Sequence, residues 1–110
     1  MSVRLLYITV PDRAEAESLG RYLVESRLVA CVNILDGVTS MYRWEGRVQS
    51  DSETVCIAKT TEAMVEEATR AIVERHSYEV PCVVSLEVTK GNAAFLQWVE
   101  DAMGPQAEEA

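Results

Sequence analysis

The side chains best suited to chemistry in this 110-residue chain are one histidine and three cysteines. His76 follows a predicted helix, and imidazole is a common ligand of copper and zinc. Cys31, Cys56 and Cys82 are widely spaced, form no CxxC pair and lie in apolar runs. We therefore expect free thiols in a reducing compartment rather than a disulfide framework. Nothing in the spacing of the thiols favours a nucleophile activated by the histidine.

Two interpretations of His76 follow from its position after a helix. The partial negative charge at a helix C-terminus favours a cation, so the imidazole can serve simply to stabilise that end. It can also bind a metal ion, but the chain contains no second histidine. A metal site would therefore have to be completed by another strand or by another subunit.

Tyr42 and Trp44 alternate along a predicted strand and therefore share one of its faces. The strand belongs to a hairpin arm that extends beyond the small sheet, where large apolar side chains need a covering surface. Their own domain is one candidate for that surface, but we favour a contact between subunits. Since aromatic side chains are common in small-molecule pockets, this contact also predicts a cleft between subunits.

Three polar side chains lie among the apolar residues of the predicted strands. Asn33 has the parity of Cys31, and a buried amide at that position would either bond backbone groups or line a pocket. Glu53 and Lys59 share one parity on the next strand. Lys59 is interpreted as a residue at the rim of the apolar face, with membership of a buried ion pair as the less favoured alternative.

The hydrophobic periodicity predicts four strands and three helices. They are a strand at Val3–Val10, a helix at about 12–26, a strand at Val29–Leu35 that breaks or bulges at Asp36-Gly37 and continues as Val38–Glu45, a strand at Val48–Thr60, a helix to about Arg75, a strand at Cys82–Thr89 and a short helix over about 95–102.

The first strand is apolar on both parities, so we expect it to be covered on both faces. Asp12 or Pro11 opens the first helix, with Glu15 placed as in a capping box, and the apolar stripe of this helix is Ala16, Leu19 and Leu23. Thr60 or Thr61 can cap the second helix, whose apolar stripe is Met64, Ala68, Ala71 and Ile72.

The order βαββαβ with a C-terminal helix predicts an α+β, ferredoxin-like sandwich. The second and third strands form a hairpin far longer than usual, and a small sheet cannot bury such arms alone.

The composition predicts a single globular domain over residues 1–110, with an ordered core at about 3–103. Hydrophobic residues make up 48%, enough for a core, but no apolar run approaches the roughly 18 residues that cross a bilayer. The net charge of −8 repels phosphate backbones, so we expect no nucleic-acid partner. Because no signal-peptide pattern precedes the first strand, we expect a cytoplasmic protein.

Motifs of the common enzyme classes are absent from the sequence. It contains no Gly-rich phosphate loop, no GxSxG and no HExxH. We therefore predict that the protein is not an enzyme.

Five segments of the sequence resemble motifs of the CutA family of divalent-cation tolerance proteins. They are Ala30-Cys31-Val32-Asn33-Ile34, the run Ser40-Met41-Tyr42-Arg43-Trp44-Glu45-Gly46, Glu53 with Lys59-Thr60, His76-x-Tyr78-Glu79-Val80-Pro81 and Phe95-Leu96-x-Trp98. The segments occur in the family's order and spacing and cover the chain from about residue 5 to 100. Each is weak alone, but together they are highly specific.

The resemblance implies a tight homotrimer in which each long hairpin extends a neighbour's sheet. It also implies copper tolerance and divalent-metal binding without an obligatory cofactor or a settled reaction. The architecture is similar to that of PII signalling proteins, which bind small ligands in clefts between subunits. In this chain such a cleft would be lined by Cys31, Asn33, Tyr42, Trp44, Glu53, Lys59 and Tyr78.

The chain departs from the family's pattern at the proposed copper ligands. Some members carry a first-strand cysteine where this chain has Ile8, and a His-His pair where it has Arg75-His76. Ser77 replaces a common proline, and Cys82 stands where a glutamate is common. We therefore expect divalent-metal binding, with copper as the first candidate, at His76 and Cys82. The alternative is a PII-like trimeric scaffold for a small ligand or for signalling.

Overall fold

The computed structural model describes residues 2–104 and has an α+β architecture. Its elements are β1 (Val3–Val10), α1 (Arg13–Glu25), β2 (Cys31–Trp44), β3 (Arg47–Thr61), α2 (Val65–Arg75), β4 (Val83–Glu87) and α3 (Ala93–Ala102), with a short 3-10 turn (Glu62–Met64) before α2. The predicted order of elements is confirmed. The expectations for Met1 and for residues 105–110 lie outside the described residues.

The four strands form one antiparallel sheet in the order β2-β3-β1-β4. This is the ferredoxin-like arrangement, in which the two βαβ halves interleave and β1 and β3 occupy the centre. In the register, Tyr7 of β1 lies between Ile57 of β3 and Val84 of β4. Side chains directly opposite one another share a face, so these three residues lie on one side of the sheet.

The other side of the sheet carries the main core. Leu6, Ile8 and Val10 of β1 are completely buried there. The helices α1 and α2 contact each other and the sheet, and they contribute Leu23 and Ile72 to the same cluster. The predicted apolar stripes of both helices therefore face this core.

The side of the sheet that holds Tyr7 is only partly covered in the single chain. Leu5 and Tyr7 are half-buried, whereas Val84 and Leu86 of β4 are each about half exposed. The helix α3 contacts β1 and β3, and its buried residue Val99 lies outside the main core cluster. The expectation that β1 is covered on both faces is thus met on one face and only in part on the other.

The two helix starts were predicted with different success. The Asp12 side chain accepts a hydrogen bond of 2.8 Å from the Glu15 backbone N–H, as predicted for the cap of α1. The Glu15 carboxylate does not complete a capping box, because it bonds Ser77 instead. For the second helix the prediction holds only in position: Thr61 is the N-cap residue of the 3-10 turn but makes no side-chain cap bond, and the hydroxyl of the buried Thr60 donates to the Leu28 carbonyl.

The β2–β3 hairpin is the longest feature of the fold, with strands of 14 and 15 residues. Its register shifts between Leu35 and Val38, at the predicted Asp36-Gly37 break, where Gly37 has a φ of 76°. The strands are joined by Glu45 and Gly46, whose φ angles of 51° and 78° are those of a tight hairpin turn. The arm makes the molecule elongated, with extents of 48 × 26 × 23 Å.

Candidate functional site

A cavity of about 740 Å³ lies where the hairpin arm meets the loop between α2 and β4. The arm contributes Tyr42 and Trp44 from β2 and Glu53 from β3, and the loop contributes Tyr78. These four residues belong to the predicted cleft, and the structure brings them together. Cys82, predicted as a metal ligand, lines the same cavity and is exposed.

Two tyrosine–carboxylate pairs organise this cavity. The Tyr78 hydroxyl donates a hydrogen bond of 2.8 Å to Glu53, and the Tyr42 hydroxyl donates to Asp51. Asp51 and Glu53 are two residues apart on β3, so both carboxylates lie on one face of the strand. Burial and then the Glu53 hydrogen bond raise the pKa of Tyr78, and the Asp51 hydrogen bond raises the pKa of Tyr42. Both phenols therefore remain hydrogen-bond donors at neutral pH.

Negative charge dominates the cavity. Its lining contains three carboxylates, those of Asp51, Glu53 and Glu79, and within the described part of the chain no lysine or arginine lines it. Asp51 and Glu79 were not among the residues predicted to line the cleft. The spacing of Asp51 to Glu53 was the one available signal, because residues two apart on a strand share a face.

His76 lies behind the cavity rather than in its lining, and its side chain is fully buried. Its Nε2 is 2.7 Å from the Thr9 carbonyl oxygen, and its Nδ1 accepts a 3.0 Å hydrogen bond from the Tyr78 backbone N–H. Because a carbonyl can only accept and an amide N–H can only donate, these two contacts fit the tautomer that carries its proton on Nε2. Metal binding by this ring would require it to give up one of these bonds, and that role stays a prediction.

Glu15 ties helix α1 to the loop that carries Tyr78. Its carboxylate accepts hydrogen bonds of 3.0 Å from the Ser77 N–H and 2.7 Å from the Ser77 hydroxyl. It also lies 3.6 Å from Nδ1 of His76. Together with the His76 bonds, these contacts hold the loop, and thereby the Tyr78 ring, in place against Glu53. No local pattern indicates this contact between Glu15 and Ser77, because the two residues are 62 positions apart.

The remaining three residues of the predicted cleft lie elsewhere. The Lys59 ammonium donates to the Asn33 side-chain oxygen, and Cys31 lies opposite Lys59 in the β2–β3 register. None of the three lines the cavity. Asn33 is exposed rather than buried, because it lies opposite Ile57 on the partly covered side of the sheet. Its amide oxygen is satisfied by the Lys59 side chain and not by backbone groups.

All three cysteines are free, in three different environments. Cys56 is buried, and burial raises the pKa of its thiol to about 11, which keeps it protonated and unreactive. Cys31 is half-buried, whereas Cys82 is exposed. Within residues 2–104, no three His, Cys, Asp or Glu side chains come together in a way that could hold a metal ion.

Comparison with known proteins places the chain in a family. The family model described as CutA1 divalent ion tolerance protein matches residues 4–102 of this chain. The chain belongs to the CutA1 family. The resemblance found in the five sequence segments is thereby confirmed, and the ferredoxin-like fold is shared with solved CutA1 structures. The family is described by tolerance to divalent ions and not by a reaction.

Relatives come from plants, animals, bacteria and archaea. The chain is 41% identical over 98 residues to the chloroplastic protein CutA of Arabidopsis thaliana, covering 89% of this chain and 54% of the relative. It thus spans about half the length of the plant protein. It is 39% identical over 100 residues to the divalent-cation tolerance protein CutA of Thermus thermophilus, covering 91% of this chain and 97% of that one.

Solved CutA structures superpose closely on this chain. The crystal structure of CutA1 from Oryza sativa has a TM-score of 0.91 at 34% identity and covers 96% of both chains. The structure of the periplasmic divalent cation tolerance protein CutA from Archaeoglobus fulgidus has a TM-score of 0.89 at 32% identity, covering 93% of this chain and 99% of that one. Relatives are therefore named for different compartments. None of the helices described in this chain has the length and apolar character needed to cross a membrane.

Proposed function

We propose that this chain is a non-catalytic, cytoplasmic protein that binds divalent metal ions, copper among them, as a homotrimer. The observation that carries the proposal is the cavity, whose charged lining residues are all carboxylates and which also contains the exposed thiol of Cys82. A cavity of this charge concentrates cations, and the net charge of −8 adds to the effect. A thiolate and an imidazole are ligands that suit copper and zinc.

The trimer is supported by two surfaces that the single chain leaves uncovered. The first is the side of the sheet that holds Val84 and Leu86, which are each about half exposed. The second is β2, a 14-residue strand at the edge of the sheet with free backbone hydrogen-bonding groups. A neighbour's hairpin arm can pair with that edge, and the paired sheets can shelter the exposed apolar side chains.

A metal site also favours assembly. Since residues 2–104 of one chain bring no three suitable ligands together, Cys82 and the carboxylates would need a further ligand from a neighbouring subunit. His76 of the same chain could join the site only by releasing the Tyr78 N–H from Nδ1 or the Thr9 carbonyl from Nε2, and either change removes a bond that holds the loop. Metal binding through His76 is therefore coupled to a rearrangement of the loop.

The experiment is calorimetric titration of the full chain with Cu²⁺ and with Zn²⁺, with the bound metal counted on the same sample. We expect saturable binding that Cys82→Ser weakens at least tenfold. Cys31→Ser is the matched control, because Cys31 lies outside the cavity, and it should leave the affinity unchanged. His76→Gln tests whether the imidazole is also a ligand. Weaker metal binding in this variant than in the parent would identify it as one. Micromolar or weaker binding that is the same in all variants would contradict the site.

A second function is favoured by the size and walls of the cavity. Its volume of about 740 Å³ lies within the roughly 300–1,000 Å³ of small-molecule sites. Tyr42, Trp44 and Tyr78 supply aromatic surface to it. These features support a PII-like scaffold that binds a small organic ligand. A thermal-shift comparison of metals with a metabolite panel distinguishes the two functions, because a ligand of the native state raises the unfolding midpoint.

A further inference from the structure

We propose that the cavity selects organic cations: a protonated or quaternary amine carried on an apolar body. The inference rests on the second proposed function, the small-ligand scaffold, and names the class of ligand it takes. Three properties of the cavity support it: the sign of its charge, the state of its hydrogen-bonding groups and the nature of its walls.

The charge of the lining excludes anions and favours cations. Asp51, Glu53 and Glu79 are negative, and no basic side chain among the described residues lines the cavity to offset them. Glu53 has only 9% of its surface exposed, so its charge is screened less by salt than a surface charge would be. A phosphate or carboxylate ligand would meet repulsion from all three carboxylates.

The charged hydrogen-bonding groups of the cavity are all acceptors. The two tyrosine hydroxyls already donate hydrogen bonds to Glu53 and Asp51. A carboxylate has about four lone-pair sites, so each of these can accept further hydrogen bonds from a ligand. The ligand that complements them is a donor or a cation.

The walls distinguish an organic cation from a bare metal ion. In the single chain Trp44, Tyr42 and Tyr78 are 46%, 42% and 37% exposed, and a ligand in a cleft between subunits would contact the ring surface that the neighbouring subunit leaves uncovered. A cation lying over an aromatic face is attracted by the ring's quadrupole, and an apolar body gains from contact with the same rings. A hydrated metal ion would use the carboxylates but leave this aromatic surface unused.

The test compares three probes of similar size that differ in charge: benzyltrimethylammonium, 3-phenylpropan-1-ol and 3-phenylpropanoate. The full chain carrying Trp98→Phe is used, because Trp44 is then its only tryptophan and reports on the cavity by its fluorescence. We expect the cation to bind at least tenfold more tightly than the alcohol, and the carboxylate to bind most weakly. The preference for the cation over the alcohol should decrease as the salt concentration is raised.

Variants locate the binding within the cavity. Glu53→Gln removes the charge but keeps an acceptor for the Tyr78 hydroxyl. It should lower the affinity for the cation by about three- to tenfold and leave the affinity for the alcohol unchanged. Glu74→Gln is the matched control, because Glu74 is exposed on α2 and outside the cavity, and it should change neither probe. Circular dichroism of the same sample verifies that Glu53→Gln is folded, and a folded variant that binds the cation as tightly as the parent would overturn the inference.

Three further outcomes would overturn the inference, and they differ in what else they remove. If the alcohol or the carboxylate binds as tightly as the cation, the charge selectivity is wrong but the small-ligand scaffold stands. If none of the three probes binds while Zn²⁺ or Cu²⁺ does, the scaffold falls as well and metal binding stands. If Glu74→Gln weakens the cation as much as Glu53→Gln does, the attraction is general surface charge and the cavity is not the site.

Discussion

The two sides of the sheet contrast sharply in this molecule. On one side, Leu6 and Ile8 are sealed beneath two helices and have no exposed surface. On the other side, Val84 and Leu86 remain about half exposed, although they are equally apolar. The difference indicates that one side stabilises the single chain, whereas the other is left for assembly and for the cavity. The predictions below test this division, beginning with the largest expected effect.

Identical truncations on the two sides should have unequal costs. Leu6→Ala leaves a cavity in the sealed core and should lower the free energy of unfolding by about 2–5 kcal/mol at every protein concentration. Leu86→Ala removes the same atoms from the open side, the side of the sheet that holds Val84 and Leu86. Its effect on the free energy of unfolding should therefore depend on protein concentration through the assembly. Urea unfolding at two concentrations measures both. Equal, concentration-independent losses would contradict the division.

The buried histidine connects the two regions through hydrogen bonds to β1 and to the loop. His76→Leu preserves much of the bulk but leaves the Thr9 carbonyl and the Tyr78 N–H without partners, at a cost of about 1–3 kcal/mol for each buried group. His76→Gln can restore one bond and should lose less. Chemical unfolding of both variants is the measurement. A leucine variant as stable as the parent would show that the two bonds are not needed.

Alkaline pH should weaken the sealed core specifically. The Cys56 pKa is raised to about 11 by burial, against an ordinary value of 9.0, so the unfolded chain loses this proton first as pH rises. Stability is therefore unaffected below pH 9 and falls between pH 9 and 11, by about 2 kcal/mol from this group. Tyr78, whose pKa is also raised, adds to the loss. Cys56→Ala should reduce the fall of unfolding free energy with pH in this range. An unchanged fall would exclude Cys56 as its source.

The smallest effect is expected at the loop. Ser77→Ala removes the hydroxyl that donates to Glu15 but keeps the backbone bond, so unfolding should become easier by about 0.5–1.5 kcal/mol. Ser52→Ala, at an exposed position of β3, is the matched control and should be neutral. If the two serine variants are equally stable in thermal unfolding, the Glu15 contact does not hold the loop.

The sealed side was more predictable from the sequence than the open side. The stripe of Ala16, Leu19 and Leu23 and the break at Asp36-Gly37 are local patterns, and both were located correctly. The Glu15–Ser77 bond joins residues far apart in the chain, so no local pattern could indicate it. Strand ends were also misplaced where tertiary pairing decides them.

Pairing explains the shorter last strand and the split of the predicted cleft. β4 was predicted to run to Thr89, but its partner β1 begins at Val3, so the ladder ends at Glu87. Lys59 has the parity of the cavity residues Asp51 and Glu53 on β3, and Cys31 lies opposite Lys59, yet neither lines the cavity. The parity of a residue on its strand predicts which face of the sheet its side chain is on. It does not predict which part of the strand lies next to a loop from another part of the chain.

The most direct test of the account is the mass of the folded protein in solution, measured by light scattering over a dilution series. The account holds that the open side of the sheet is covered by copies of this chain. It predicts a species of about three times 12.2 kDa that Trp44→Ala shifts toward smaller masses on dilution. A compact, fully folded species of 12.2 kDa at all concentrations would contradict it.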